Sequence, residues 1–97
     1  MKVRFEVEAL EEFENATAFY RDIDPELAKR FRDTIKLAIR DVADRPLGHP
    51  IYVDDIRRKV VSTFPYLIFY LASATIVTIV AVMHQRREPD YWKKRRD

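Results

Sequence analysis

The 97-residue chain contains no cysteine and only one glycine, Gly48. Without cysteine it can form neither a disulfide framework nor a thiolate zinc site. A chain of this length can bury one compact core and is too short for two. Nothing before Val3 resembles the basic and apolar regions of a signal peptide. We therefore expect a single domain over residues 1–97, located in the reducing cytoplasm.

Charge is also absent from residues 60–83, a stretch long enough to cross a bilayer. This stretch contains Pro65 and five serine and threonine residues. Its most apolar part is β-branched, which favours strands over a spanning helix. The whole chain is 47% hydrophobic and 35% charged, as in folded globular proteins. We therefore interpret this stretch as two buried strands and expect no membrane partner.

Positive and negative charges nearly balance, with 18 lysines and arginines against 16 aspartates and glutamates. A net charge of +2 does not by itself predict a nucleic-acid binder. The two signs are nevertheless separated along the chain, which predicts an electrical dipole. The acidic amino end contains Glu6, Glu8, Glu11, Glu12 and Glu14. The basic second half contains Arg57, Arg58, Lys59, Arg86, Arg87, Lys93, Lys94, Arg95 and Arg96.

The amino-terminal half predicts one strand and two helices. Apolar residues at alternate positions of residues 3–7 predict a short strand. Spacings of three and four then predict a helix to about Asp22, with Leu10, Phe13, Thr17 and Tyr20 on its buried stripe. Asp24 and Pro25 predict the start of a second helix, which should end before Pro46. The connection at Ile23 is so short that the helices should form an antiparallel hairpin. The second buried stripe is Leu27, Phe31, Ile35, Ala38, Ile39 and Val42.

The carboxyl-terminal half predicts a sheet. Residues 45–55 contain two prolines and the glycine and therefore predict a loop. Residues 56–63, 66–71 and 75–83 predict three strands, joined by a Phe64-Pro65 bend and a tight turn at residues 72–74. The last two strands are apolar on both faces, which places them centrally under the helices.

The predicted fold is therefore α+β. It has a short amino-terminal strand, an antiparallel helical hairpin and a three-stranded antiparallel meander, with the helices packed on one sheet face. The other face would remain available for partners. Beyond the sheet, residues 88–92 predict a helical turn started by Pro89. Residues 93–97 predict a frayed basic tail.

Three segments carry recognisable motifs. Residues 9–20 combine a short acidic run with aromatic residues, from ALEEF to AFY. Residues 57–70, RRKVVSTFPYLIFY, join a basic strand to a Phe-Pro-Tyr bend and an aromatic strand. Residues 80–92, VAVMHQRREPDYW, form an apolar strand with a His-x-Arg-Arg ending. Together with the order of elements, these segments resemble the ParE/RelE family of toxins from type II toxin–antitoxin systems.

The resemblance implies a growth-inhibitory toxin, without cofactor, that a cognate antitoxin neutralises in a hetero-oligomeric complex. ParE-like members bind and poison DNA gyrase, whereas RelE-like members cut messenger RNA on the ribosome. RelE-like sites crowd cations on the central strands, but residues 66–83 contain no lysine or arginine. The His-Gln-Arg-Arg ending is closer to ParE-like members. We therefore favour gyrase inhibition, with an RNase or an inactive interaction module as alternatives.

Two sets of candidate site residues follow. Metal-free RNA cleavage needs a base, an acid and cations for the developing charge. Strand alternation should place Arg57 and Lys59 on one face and Arg58 on the other. An RNase would use Arg57, Arg58, Lys59, Arg86, Arg87 and Tyr91, without a metal. Target binding would use His84, Arg86, Arg87, Tyr91 and Trp92.

Each of these residues also has a structural interpretation. The strand cations could form a solvated border, His84 could be a packing residue, and Tyr91 and Trp92 could anchor the carboxyl-terminal segment. For the antitoxin, we expect an apolar and basic groove on this chain. An acidic, amphipathic segment of the partner would fill it and become ordered on binding.

Overall fold

A computed structural model, which describes residues 1–96, has two helices packed on one face of a five-stranded sheet. The elements are β1 (Lys2–Phe5), α1 (Val7–Ile23), α2 (Pro25–Asp44), β2 (Ile51–Val53), β3 (Ile56–Val60), β4 (Tyr66–Ala72), β5 (Ile76–His84) and a terminal 3-10 helix (Tyr91–Arg96). The strand order is β1-β5-β4-β3-β2, with β1 parallel to β5 and the other pairs antiparallel. The predicted α+β class and the helices on one sheet face are confirmed.

The helical hairpin forms as predicted. A single residue, Asp24, separates the helices, and its Oδ1 accepts the Glu26 N–H at 3.0 Å while Pro25 occupies the first turn of α2. An aspartate cap followed by proline satisfies the free end of a helix without losing a hydrogen bond. The ring centroids of Tyr20 and Phe31 lie 4.9 Å apart and join α1 to α2.

The amino-terminal strand is shorter than predicted and lies at the sheet edge. The Glu6 N–H bonds to the Ile79 carbonyl, and the chain enters α1 at Val7. Val7 is therefore 69% exposed in the first helical turn, and Leu10 is exposed rather than buried. The buried stripe of α1 includes Ala9, Phe13, Ala16 and Thr17.

The predicted loop over residues 45–55 contains a strand, so the prediction of a three-stranded meander was wrong in strand number. β2 pairs antiparallel with β3, and Asp54 turns the chain between them. Asp54 has a φ of 51°, a left-handed conformation that aspartate tolerates better than most residues. Before β2, the Tyr70 hydroxyl donates to the Pro46 carbonyl at 2.7 Å. This bond fixes the loop to the central sheet.

The uncharged stretch forms the two central strands, β4 and β5, as predicted. β3 ends at Val60 rather than at residue 63. The Val61 N–H still bonds to the Tyr66 carbonyl, and residues 62–65 form the bend, in which Thr63 has a left-handed φ of 73°. Among residues 1–96, no helix is both long and apolar enough to cross a bilayer.

The sheet face opposite the helices is partly covered by the terminal 3-10 helix. Trp92 is fully buried, and its ring centroid lies 4.8 Å from that of Phe69 on β4. The prediction of a frayed tail was therefore wrong for residues 93–96, and Asp97 lies outside the described residues. The reason is that β4 and β5 are apolar on both faces, and the second face also needs a cover. Only part of this face remains available for partners.

Candidate functional site

Arg57 and Lys59 project from the helix-facing side of β3 and are held within the fold. The Arg57 guanidinium donates to the carbonyl oxygens of His49 at 2.7 Å and Leu47 at 3.3 Å. Lys59 Nζ donates to Asp41 on α2 at 2.8 Å. Arg57 therefore holds the loop before β2 against the sheet, and Lys59 holds the end of α2 against it.

Asp41 is the acidic centre of this cluster. Hydrogen bonds from Lys59 and Arg45 hold the pKa of Asp41 below its usual value. His49 Nε2 lies 3.3 Å from Asp41 but has no aligned hydrogen-bond partner among residues 1–96. Its side chain is only 10% exposed, and burial, followed by the charge of Lys59, lowers the pKa of His49. The imidazole is therefore neutral at pH 7.

Arg58 points to the opposite face of the sheet, in agreement with the predicted alternation. It lies opposite Phe69 in the β3–β4 ladder, and its guanidinium carbon is 5.8 Å from the centroid of the Tyr52 ring. The Tyr52 hydroxyl donates to Asp90 at 2.6 Å. Arg58 therefore belongs to the surface beside the terminal 3-10 helix and does not share a site with Arg57 and Lys59.

The end of β5 brings several predicted site residues together. His84 lies opposite Tyr66, and its Nδ1 accepts the Arg86 N–H at 3.0 Å. The Arg87 N–H bonds to the His84 carbonyl at 3.0 Å, which closes a turn. The Arg87 guanidinium carbon then lies 3.8 Å from the Tyr91 ring centroid, a cation–π contact. Arg86 and Arg87 are exposed and form no ion pair among residues 1–96.

Glu12 of α1 is a residue of this site that the sequence did not single out. Its carboxylate accepts the Val82 N–H at 3.1 Å, the Arg95 guanidinium at 3.1 Å and the Tyr91 hydroxyl. The Glu12 side chain is only 13% exposed. Burial, followed by the hydrogen bond to Glu12, raises the pKa of Tyr91. Tyr91 is therefore a neutral hydrogen-bond donor across the physiological range.

The terminal 3-10 helix is held by two further contacts, one with the sheet edge and one with the start of α1. Arg95 donates to the Val80 carbonyl at 2.7 Å, in addition to its bond with Glu12. Arg96 pairs with Glu6 at the start of α1. Since β1 pairs with β5 only up to Ile79, Arg95 and Glu12 occupy part of the β5 edge that β1 leaves open. The result is a rigid base for the Arg86-Arg87 turn.

A groove of about 270 Å³ lies between α1 and the end of β5. We call it the α1–β5 groove. Phe19 and Ala16 line its α1 side, Val82 and His84 line the β5 side, and Arg87 also lines it. Phe19 is 60% exposed, although it is a large aromatic residue. The groove therefore combines an apolar wall with a cation that forms no ion pair among residues 1–96.

Comparison with known proteins identifies the family. Residues 3–89 match the family model described as ParE toxin of type II toxin-antitoxin system, parDE. The chain belongs to the ParE toxin family. No curated protein sequence matches it.

The fold of this ParE-family toxin also has a solved relative. The structure titled "Chromosomal ParDE TA system from P. aeruginosa" superposes with a TM-score of 0.73. The match covers 87% of this chain and 95% of that chain at 16% sequence identity. At this identity the similarity establishes the fold alone.

In this ParE-family toxin the residues predicted for RNA cleavage lie in separate places on the sheet. Arg57 lies opposite Tyr70 on β4, whereas His84 lies opposite Tyr66. This offset along β4 corresponds to about 13 Å at the usual rise of roughly 3.3 Å per residue. Arg86, Arg87 and Tyr91 cluster with His84, and the strand cations lie elsewhere. Among residues 1–96, no group of three or more histidines and carboxylates could hold a metal ion.

Trp92 was predicted to bind a target, but its side chain is not at the surface. It is fully buried against Phe69 in the second core. Its indole nitrogen has no hydrogen-bond partner among residues 1–96. Trp92 anchors the segment that carries Tyr91, which agrees with the structural interpretation of this residue.

Proposed function

We propose that this ParE-family toxin arrests growth by binding DNA gyrase, and that a cognate antitoxin neutralises it in a hetero-oligomeric complex. The observation that carries the proposal is that the candidate cations differ in the contacts they make. Arg57 and Lys59 are engaged inside the fold, whereas Arg86 and Arg87 are exposed and unpaired within residues 1–96. Exposed arginines on a rigid base suit recognition of a macromolecular surface. Because gyrase lies in the cytoplasm, the proposal also assigns the toxin to that compartment.

The state of Tyr91 supports binding rather than RNA cleavage. A general acid or base works best when its pKa lies near the operating pH. Burial and the Glu12 hydrogen bond raise the pKa of Tyr91 and commit its proton to a carboxylate. Lys59 is likewise committed to Asp41. Because of these contacts, Tyr91 and Lys59 are not available as two of the groups that cleavage chemistry would need.

The test is a supercoiling assay with purified gyrase, relaxed plasmid and antitoxin-free toxin. We expect dose-dependent loss of supercoiling. The double variant Arg86→Gln/Arg87→Gln should be weaker by about tenfold or more, since two charged contacts are lost. A matched variant, Arg30→Gln/Arg40→Gln, removes two exposed arginines from α2 and should inhibit like the wild type. Normal supercoiling at a large molar excess of toxin would refute the proposal.

A second candidate is a RelE-like, ribosome-dependent endoribonuclease. The observation that favours it is the contact between Arg87 and Tyr91 beside His84, which keeps three relevant residue types together. Transcript ends mapped after induction should then contain new internal cuts, and these should disappear in Tyr91→Phe. Intact transcripts in arrested cells would reject this candidate. Normal growth under strong induction would instead indicate an inactive interaction module.

A further inference from the structure

The outer edge of β3 is open at its carboxyl-terminal end. β2 pairs with β3 at Ile56 and Arg57, and the Arg58 N–H bonds to the Pro50 carbonyl. Proline has no N–H to donate in return, so the ladder ends there. Because backbone groups alternate between the two sides of a strand, the N–H and C=O of Val60 point to the same outer side. No strand among residues 1–96 pairs with Val60 on that side.

This edge is not protected by charge. Edge strands commonly carry exposed lysines or other charged side chains that prevent a further strand from pairing. The lysine on this strand, Lys59, is instead bound to Asp41 of α2 at 2.8 Å. Val60, at the open position, is apolar and 55% exposed. The end of β3 can therefore accept another strand.

A groove of about 230 Å³ lies beside this edge, between α2 and the end of β3. We call it the α2–β3 groove. Thr34 and Leu37 line its α2 side, and Val60 and Ser62 line its β3 side. Leu37 is 62% exposed. The groove therefore places two exposed apolar residues next to the open backbone groups, and covering these residues would stabilise a complex.

The exposed charges on α2 are arranged symmetrically about Leu37. Arg30 precedes Leu37 by seven residues, and Asp44 follows it by seven. Seven residues are about two helical turns, so the three residues lie along one side of α2. Arg30 and Asp44 are both exposed, and neither forms an ion pair among residues 1–96. An antiparallel copy of α2 that crosses at Leu37 would place each arginine opposite an aspartate of the other copy.

We propose that this toxin forms a symmetric homodimer through the end of β3 and the exposed side of α2. The two-fold axis passes beside Val60, whose N–H and C=O pair with those of Val60 in the second copy. Leu37 of each copy packs near the same axis, and the two pairs of Arg30 with Asp44 lie on either side of it. A second copy is the partner that fits, because a two-fold interface requires a surface that is complementary to itself.

The proposal does not depend on gyrase. The Arg86-Arg87 turn follows β5, which is separated from β3 by β4, and lies outside the proposed interface. Monomer and dimer both leave this turn exposed. The supercoiling assay and the association assay therefore test the two proposals separately.

Sedimentation equilibrium of purified, antitoxin-free toxin over a range of concentrations measures self-association. We expect a reversible dimer with a dissociation constant in the micromolar range, because small interfaces form weak complexes. In concentrated samples, hydrogen exchange of the Val60 amide should be slower than in dilute samples by about tenfold or more, as expected for a new backbone hydrogen bond.

Charge reversal tests the contact between the two copies of α2. Arg30→Glu and Asp44→Arg each place like charges opposite each other twice in the symmetric dimer. Each variant alone should therefore associate at least about tenfold more weakly than the wild type. An equimolar mixture of the two variants should form a heterodimer with an affinity close to that of the wild type, because both pairs again have opposite charges. This recovery also shows that both variants are folded.

Two further variants test the apolar and backbone contacts. Leu37→Ser and Val60→Pro should each weaken the dimer by about tenfold or more. Val60→Pro removes an N–H that points away from β4, so circular dichroism should still show a folded chain. Val7→Ser changes an exposed apolar residue at the start of α1, next to the opposite sheet edge, and should dimerise like the wild type.

A toxin that remains monomeric at all concentrations would overturn the proposal. So would a dimer that is unaffected by Leu37→Ser and Val60→Pro, or a mixture of the charge variants that does not associate. A monomeric toxin whose Val60 amide is protected only by gyrase or by the antitoxin would assign this edge to that partner and would also refute the homodimer.

Discussion

Among single residues, Glu12 connects α1 both to the sheet and to the terminal 3-10 helix. Its carboxylate binds Val82 in the sheet, and Tyr91 and Arg95 in the terminal 3-10 helix. In the sequence it is one of several glutamates on α1, and nothing in its spacing distinguishes it from Glu11. Only the fold selects it, because Glu12 faces the part of the β5 edge that β1 does not cover.

We predict that Glu12→Gln lowers the free energy of unfolding by roughly 1.5–3 kcal/mol, the usual contribution of hydrogen bonds to a charged group. The amide loses the negative charge beside Arg95, which is only 19% exposed. Urea unfolding monitored by circular dichroism measures the change. Glu11→Gln alters an exposed neighbour and should leave the midpoint nearly unchanged. Equal midpoints for the two variants would contradict the role of Glu12.

His49 provides a prediction about pH. Burial lowers the pKa of His49 below 6.5, so the unfolded chain takes up its proton at a higher pH than the folded chain. The folded state is therefore favoured above about pH 6.5 and loses this advantage as the pH falls toward the folded-state pKa. We expect the free energy of unfolding to decrease between about pH 7 and 5, a window above the titration of Asp41.

The variant His49→Asn should reduce this pH dependence. Unfolding measured in urea at several pH values provides the slope. His84→Asn also removes one histidine, but not the buried one, and should keep the slope that His49 contributes. An unchanged slope in His49→Asn would show that other groups produce the pH dependence.

The sequence predicts which residues are candidates for the site, and for some of them it also predicts the correct position. Alternation along β3 correctly separated Arg58 from Arg57 and Lys59. The internal partners of those two cations were not predictable, because Asp41 and the His49 carbonyl reach them only through tertiary packing. The predicted roles in target binding or cleavage remain predictions.

Among the elements, the helices were more predictable than the strands. A cap at Asp24 and a periodic stripe are local signals, and both helices begin or end close to the predicted positions. β2 was missed because its three residues lie among turn-forming residues, and pairing with β3 rather than local sequence stabilises it. Likewise, the basic composition of residues 93–96 suggested a solvated tail, whereas long-range contacts at Trp92 and Arg95 order it.

The cap of α2 can be tested directly. Asp24→Ala removes the side-chain oxygen that accepts the Glu26 N–H, and we expect a loss of about 0.5–2 kcal/mol. Asp22→Ala is the matched control in the last turn of α1. An acidic residue there opposes the helix dipole, so its removal should leave stability unchanged or slightly higher. Chemical denaturation of both variants gives the comparison. A loss as large in Asp22→Ala as in Asp24→Ala would contradict the capping role.

The terminal 3-10 helix should contribute strongly to stability through Trp92. Trp92→Ala would open a cavity against Phe69 and cost about 3–5 kcal/mol, as for other buried aromatic residues. Tyr52→Ala, at the 37% exposed border of the same cluster, should cost clearly less. Urea unfolding measures both changes, and binding of a hydrophobic dye reports exposure of the sheet face. A Trp92 variant as stable as the wild type would mean that this face needs no cover.

At the scale of the whole molecule, the two ends of the chain carry opposite charges and contact each other. Glu6 and Glu12 from the acidic end meet Arg96 and Arg95 from the basic end. Part of the predicted dipole is therefore cancelled within the fold. The cations that remain unpaired within residues 1–96 at this end include Arg86 and Arg87, so pairing of the tail concentrates the exposed positive charge at the proposed binding surface.

A double-mutant cycle can measure how much one of these long-range pairs contributes. Glu6→Gln, Arg96→Gln and the double variant should give a coupling free energy of about 0.2–1 kcal/mol, the range for pairs near the surface. Glu6 also lies at the amino end of α1, where its charge favours the helix dipole, and the cycle subtracts that separate effect. Repeating the cycle in about 0.5 M salt should reduce the coupling, because the Debye length falls to a few ångströms. Coupling near zero at low salt would show that the pair does not join the two ends, and the terminal 3-10 helix would then depend on Trp92 and Arg95.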